Sequence, residues 1–186
     1  MSYQTLFLQQ SYRDCTKQYE EILHNPNLPL WDYVVLTASN EAQAQAYRAQ
    51  ISYRLKHQGD GAAESRQFVS AQPGEAACHA FDGKRILVIH SGGDSKRVPQ
   101  YSACGKLFSP VPRILPNGRR STLFDEFMIA MCGVAARMNA GMLVCSGDVL
   151  LLFNPLQIDF YGKGAAALSI KEPAEIGKNN GVYRRD

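Results

Sequence analysis

The residues able to do chemistry concentrate in one stretch, Ile86 to Pro112, which reads ILVIHSGGDSKRVPQYSACGKLFSPVP. An apolar run ends at His90-Ser91 and opens into Gly92-Gly93, where the lack of side chains lets the backbone approach a ligand closely. Lys96 and Arg97 follow at once. Lys106 lies nine residues beyond Arg97, with Pro99 and Gly105 between them to turn the chain back. Close N–H donors combined with forked or mobile cations are what a polyphosphate requires. We read the segment as a nucleotide-phosphate loop. Gly92, Gly93, Asp94, Ser95 and Lys96 are its candidate ligand-binding residues, and Arg97 and Lys106 its candidate catalytic cations. It matches neither commoner glycine loop. A Walker A sequence needs GxxxxGK[ST], whereas Gly105-Lys106 is followed by Leu107, and GGDSKR lacks the GxGxxG of dinucleotide binding.

A second candidate is Asp148, which stands behind Gly147 just past the apolar run Met142–Ser146. Magnesium takes few carboxylates and completes its shell with water and phosphate oxygens, so one such aspartate beside a phosphate loop suits Mg²⁺. The alternative is a loop aspartate capping a nearby turn such as Asn154-Pro155. Weaker candidates are His90, read as a strand residue, Cys104 near Lys106, and Asp94 as a holder of its own loop. Arg119-Arg120 reads as a solvated turn.

The elements that must position these residues are legible in outline. Residues 5–24 carry apolar side chains at helical spacing, and Pro26 and Pro29 end that helix. Trp31–Thr37 (WDYVVLT) is a short strand by its β-branched content, and Ser39 or Asn40 caps a helix from Glu41 to about His57. Residues 59–83 have loop composition, Arg85–Ser91 is a second strand, and Pro112–Arg120 reads as a surface turn. Thr122 and Asp125 form a capping box for a helix whose core face is Leu123, Phe124, Phe127, Met128, Met131 and Val134. Met142–Ser146 is a third strand and Gly164–Ile170 (GAAALSI) a fourth. This alternation predicts a three-layer α/β fold with a mainly parallel sheet, in which ligands sit at the carboxyl ends of the strands. Ser91-Gly92-Gly93 and Gly147-Asp148 both lie at such ends.

Bulk properties exclude several classes. With 186 residues, 45% hydrophobic and 20% charged, the chain has the composition of an ordinary globular domain. A net charge of +3 without a long Lys/Arg run does not suggest a nucleic-acid binder. The five cysteines are scattered and include no CxxC, which fits a reducing compartment and disfavours a zinc site. No window reaches the ~18–20 apolar residues of a membrane span, and the first residues do not read as a signal peptide. A cytoplasmic location is expected.

HSGGDSKRVPQYSACGKLFSPVP resembles the signature of the L-fucokinase/GDP-L-fucose pyrophosphorylase family, the fucose-1-phosphate guanylyltransferases. WDYVVLTASNEAQAQAYRAQI, TLFDEF and VCSGDVLLLF resemble further elements of the same family, so the likeness covers about Trp31–Asn154 with a gap. It implies a GT-A-like (Rossmann-like) nucleotidyltransferase core, present here as a partial domain over residues 31–186 behind an N-terminal helical segment, residues 1–30. The implied reaction is GTP plus L-fucose 1-phosphate giving GDP-L-fucose and pyrophosphate. By resemblance Gly92 and Gly93 would cradle the nucleotide, Arg97 would hold the leaving pyrophosphate, Lys106 would neutralise the phosphates being exchanged, and Asp148 would bind Mg²⁺. The chain departs from the family in two ways. Residues 59–83 contain no counterpart of a second glycine-rich element, roughly GSGGAT. Family members are also several times longer, which implies a truncated N-terminal part that lacks the sugar-recognising region. The alternatives are an inactive remnant or nucleotide-binding subunit acting with a partner chain, self-association through the cut sheet edge, and a pyrophosphorylase for another sugar using UTP or ATP.

Overall fold

The structure is a computed structural model. It describes residues 13, 16–17, 20–21, 24–25, 27, 30–56, 81–91, 99–101, 105–115, 118–149, 151, 153–155, 164–169, 171 and 173–178. The elements are β1 (Tyr33–Thr37), α1 (Glu41–Lys56), β2 (Arg85–His90), β3 (Pro110–Ile114), β4 (Arg120–Thr122), α2 (Leu123–Ala135), β5 (Gly141–Ser146) and a short α3 (Ala174–Gly177). Two 3₁₀ turns, Pro99–Tyr101 and Lys106–Phe108, lie between β2 and β3.

The chain is an α/β protein built on a parallel three-stranded sheet in the order β1-β2-β5, an arrangement consistent with a Rossmann-like core. The most apolar run, RILVIH, takes the centre, where Ile86 to Ile89 are all buried. Its register pairs Leu87 with Val34 and Leu143, and Ile89 with Leu36 and Cys145. Side chains alternate along a strand, so these six residues share one face. On that face lie Tyr47 and Ile51 of α1 and Phe127, Ala130, Met131 and Val134 of α2, in one core.

Both long helices occupy the same face because the strand order advances in one direction and each parallel crossover is right-handed. The described residues therefore supply two of the expected layers. On the opposite face Val35 is 39% exposed, Met142 55% and Val144 53%.

Local chemistry accounts for the element ends. Asn40 caps α1 by accepting from the Gln43 N–H through Oδ1 at 2.9 Å. The capping box of α2 is present: Asp125 Oδ2 accepts from the Thr122 N–H at 2.8 Å, and the Thr122 side chain meets the backbone of Asp125. Helix α2 has no single core face. From Glu126 to Ala135 every residue but Met128 is buried, as expected of a helix apolar nearly all round.

Two expectations change. Pro112–Arg120 is more than a turn, since β3 and β4 form an antiparallel hairpin pairing Pro110 with Thr122 and Ile114 with Arg120. The prolines of PVPRI conceal this strand, and a two-stranded ribbon tolerates them because each strand has a free edge. Residues 164–169 form no strand and are exposed. Alanine-rich GAAALS offers little side-chain area to bury and few β-branched residues. The helix expected over residues 5–24 lies largely outside the described residues, although Arg13, Thr16, Lys17, Glu20, Glu21 and His24 are helical. Among the described residues no helix is long and apolar enough to cross a membrane.

Candidate functional site

The carboxyl ends of the three parallel strands are laced together. At the end of β1, Thr37 Oγ1 accepts from the Ser91 N–H at 3.2 Å, and Ser91 Oγ donates to the Thr37 carbonyl at 2.9 Å. At the end of β5, the Gly147 N–H donates to the His90 carbonyl at 2.7 Å. A Cβ at Gly147 would lie 2.8 Å from the Ser91 Cβ, so this crossing requires glycine on steric grounds alone. Ser91, the residue at which the candidate phosphate loop begins, is thus held from both sides. His90 is exposed, and its Nδ1 lies 3.4 Å from Thr37 Oγ1.

The second approach to Ser91 comes from α1. Tyr47, 3% exposed, donates its hydroxyl hydrogen to the Ser91 carbonyl at 3.3 Å. The same hydroxyl abuts Gly105, whose φ +73° and ψ 159° are a backbone conformation that side chains rarely allow and whose missing Cβ would otherwise strike it. Gln43, also buried, closes the other side, with Nε2 3.0 Å from that Cβ position. Its Oε1 accepts from the Ser39 N–H at 2.8 Å. The Gly105 N–H donates to the Tyr101 carbonyl at 2.8 Å. Gly105 and the Lys106 turn behind it therefore dock on α1.

Lys106 follows as the first residue of a 3₁₀ turn, half-buried, with Leu107 and Phe108 buried behind it. Phe108 packs on Tyr47 and Phe124 at centroid separations of 5.4 and 5.2 Å, and the Arg54 guanidinium lies 4.9 Å over its ring. The Ser109 carbonyl then accepts from the first N–H of α2, Leu123, at 3.1 Å. Lys106 is accordingly mounted on a rigid base.

Asp148 stands in the turn after β5, exposed, with Oδ1 accepting from the Ser146 hydroxyl at 2.5 Å. One exposed carboxylate beside the strand ends suits a cation such as Mg²⁺ that keeps much of its water. Among the described residues no group of three or more His, Cys, Asp or Glu gathers to hold a metal by protein ligands alone. Of the sequence candidates, Lys106 and Asp148 therefore belong to segments that border the same strand end, through Tyr47–Gly105 and Gly147 respectively. Gly92, Gly93, Asp94, Ser95, Lys96, Arg97 and Cys104 lie outside the described residues. Thr37, Gln43 and Tyr47 escape sequence reading, because a threonine ending a strand and polar residues inside a helix carry no signal until the chain folds.

Two ion pairs brace the frame. Arg113 Nε lies 2.8 Å from Glu126 Oε1, which also accepts from the Ser121 hydroxyl, so this buried carboxylate ties β3 and β4 to α2. Arg54 Nε lies 3.2 Å from Asp125 Oδ1, tying α1 to the same helix start. At the far end of the sheet, burial pushes the Asp32 carboxyl up, but the hydrogen bonds and charge of Arg85, with the charge of Lys84, outweigh it. They hold the group below the ordinary carboxylate range. Burial pushes the Cys145 thiol up.

Comparison with known proteins agrees with this frame. Residues 79–186, the stretch running from β2 through the loop, hairpin and β5, match the family described as the fucose pyrophosphorylase domain. The chain is 28% identical to the bifunctional fucokinase/GDP-fucose pyrophosphorylase of Arabidopsis thaliana, over 87% of its own length and 19% of the relative's. It is 31% identical to the human fucose-1-phosphate guanylyltransferase over 84% of its own length and 28% of the relative's. The mouse enzyme of that name is 29% identical, over 82% and 29%. The chain thus spans less than a third of each of these relatives. No solved structure matches it. The family match covers more than half of the chain, and the chain belongs to the fucose pyrophosphorylase family.

Proposed function

We propose that this chain provides the phosphate-binding and metal-binding part of a sugar-1-phosphate nucleotidyltransferase site. The reaction is transfer of GMP from GTP to L-fucose 1-phosphate, giving GDP-L-fucose and pyrophosphate. The observation that carries this reading is the convergence of three segments on Ser91: the start of the glycine loop, the Gly105-Lys106 turn held by Tyr47, and the Gly147-Asp148 turn. Such a convergence at the carboxyl ends of a parallel sheet is where a nucleotide is received.

In the proposed mechanism a phosphate oxygen of the sugar phosphate attacks the α-phosphorus in line. The bond to the β-phosphate oxygen breaks, and pyrophosphate leaves with that electron pair. The protein's part is positioning and charge neutralisation. Gly92 and Gly93, with Asp94, Ser95 and Lys96, receive the phosphates through backbone and side-chain donors. Arg97 holds the departing pyrophosphate, and Lys106 neutralises charge on the phosphates being exchanged. Asp148 would hold Mg²⁺, which when bound supplies further neutralisation of the triphosphate.

A partner chain, or self-association along the sheet, belongs to the same proposal. Met142 and Val144 on the outermost strand, both more than half exposed, support it. The alternative of binding without turnover, or of UTP or ATP in place of GTP, is separated by one experiment. The chain is titrated with GTP, UTP and ATP plus Mg²⁺ in a thermal-shift assay, and pyrophosphate release is then followed with fucose 1-phosphate. Stabilisation by GTP above the other two, lost in Lys106→Ala, with pyrophosphate released, is the expected result. No shift with any nucleotide rules the proposal out.

A further inference from the structure

A cavity of about 300 Å³ opens between the last turns of α1 and the β3–β4 hairpin, lined by Gln50, Tyr53, Arg54, Arg119, Arg120 and Asp125. None of these residues belongs to the glycine loop, the Gly105-Lys106 turn or the Gly147-Asp148 turn, so the cavity is separate from the strand-end site.

Its walls carry three arginines against one carboxylate, a net charge of +2. That carboxylate is already engaged. Asp125 accepts from Arg54 Nε at 3.2 Å, and from the Thr122 N–H and hydroxyl at 2.8 and 2.7 Å. It is poorly placed to recruit a cation, and the excess charge favours an anion.

Arg54 is the fixed wall of the cavity, its guanidinium N–H groups taken up by Asp125, Gln50 and Thr122, and Arg119 and Arg120 complete the lining. Arg54 donates to the Gln50 carbonyl and Oε1 at 3.1 and 2.8 Å and to Thr122 Oγ1 at 3.0 Å. The Arg119 guanidinium lies 5.9 Å from the centroid of the half-exposed Tyr53 ring, within cation–π range. Arg120 is exposed, and its backbone is fixed in β4 opposite Ile114. Guanidinium forks match phosphate oxygens in pairs, so Arg119 and Arg120 carry the recognition of an anion while Arg54 holds the wall behind them. The volume is at the lower end of small-molecule sites, roughly 300–1,000 Å³. It suits one phosphate group and a few carbons against the Tyr53 ring, not a nucleoside triphosphate.

We propose that this cavity is a second anion site, which takes the phosphate group of a small phosphate monoester. It shares one residue with the frame of the strand-end site, because Arg54 also lies over the ring of Phe108, two residues beyond Lys106.

The test is isothermal titration calorimetry of the full chain with inorganic phosphate and with glycerol 3-phosphate, at ionic strength held constant with chloride. The variants are Arg120→Ala, Arg119→Gln and Lys106→Ala. Arg120→Ala and Arg119→Gln are each expected to weaken binding of both probes at least tenfold, while Lys106→Ala leaves that binding step in place. Unchanged affinity in both arginine variants overturns the proposal, as does binding lost in Lys106→Ala alone, or heat reproduced by chloride. Should either arginine variant fail to fold, Arg120→Lys keeps the charge and removes the fork. Weaker phosphate binding at an unchanged melting temperature then supports the site, and unchanged affinity refutes it.

Discussion

Replacing Gly105 by alanine tests the central geometric claim, that Tyr47 and Gly105 fit together to place Lys106. Two costs arise at this one position. At φ +73° and ψ 159° the backbone is in a region essentially reserved for glycine, which costs an L-residue about 1–3 kcal/mol. The new Cβ would also strike the Tyr47 hydroxyl and lie 3.0 Å from Gln43 Nε2, and overpacking of this kind costs about 1–3 kcal/mol. Gly105→Ala should therefore destabilise the chain by roughly 2–6 kcal/mol, a large share of the ~5–15 kcal/mol that holds a domain together. Tyr47→Phe alone removes the hydrogen bond to the Ser91 carbonyl and keeps the ring on Phe108, costing about 0.5–1.5 kcal/mol. In the double variant the hydroxyl is no longer there to be struck, so the severest contact disappears, while the ring edge and Gln43 Nε2, each 3.0 Å from the new Cβ, and the backbone strain stay. Urea denaturation of the four proteins closes a double-mutant cycle, with an expected coupling of at least about 1 kcal/mol in the rescuing direction. Strict additivity, within about 0.5 kcal/mol, would show that the two residues do not meet and would refute the docking of the Lys106 turn on α1.

Three further outcomes are expected. Lys106→Ala and Arg97→Ala should each weaken GTP binding more than tenfold, about 1.4 kcal/mol, in calorimetric titrations; equal affinity in both would remove the phosphate-loop assignment. Asp148→Asn should abolish the Mg²⁺ dependence of nucleotide binding at an unchanged melting temperature, and Mg²⁺ dependence that persists would count against its role as a metal ligand. The Asp32 carboxyl is held below its ordinary value in the fold, so the stability it contributes is present above its unfolded value, near 3.8, and is lost as pH falls through the folded value. Asp32→Asn should accordingly be less stable than the parent at neutral pH, with the gap closing in acid; a gap independent of pH would contradict the Arg85 pairing.

Much of the frame was legible from local pattern. WDYVVLT and RILVIH announce strands because β-branched and apolar residues run unbroken there, and the Thr122/Asp125 pair announces a helix start because both partners of the capping box lie within one turn. The Gly147-Asp148 turn could be placed at a strand end on the same grounds. What stayed hidden was non-local. Pro112–Arg120 reads as a turn until Pro110–Ile114 and Arg120–Thr122 pair around it, and Gly164–Ile170 reads as a strand although its described residues, 164–169, form none. Glu126 is not among the core-face residues that the helix pattern picks out, yet Arg113 and Ser121 hold its buried carboxylate.

Sequence alone therefore determined the α/β class, the parallel elements and the family signature, since hydrophobic period, caps and glycine spacing act over a few residues. Only the tertiary structure decided which strand ends meet, that Tyr47 from α1 buttresses both Ser91 and Gly105, and that three arginines from α1 and the hairpin line one cavity. Those relations join residues tens of positions apart. They follow from strand order, handedness of crossover and the shape of the packed core, which no short window of sequence contains.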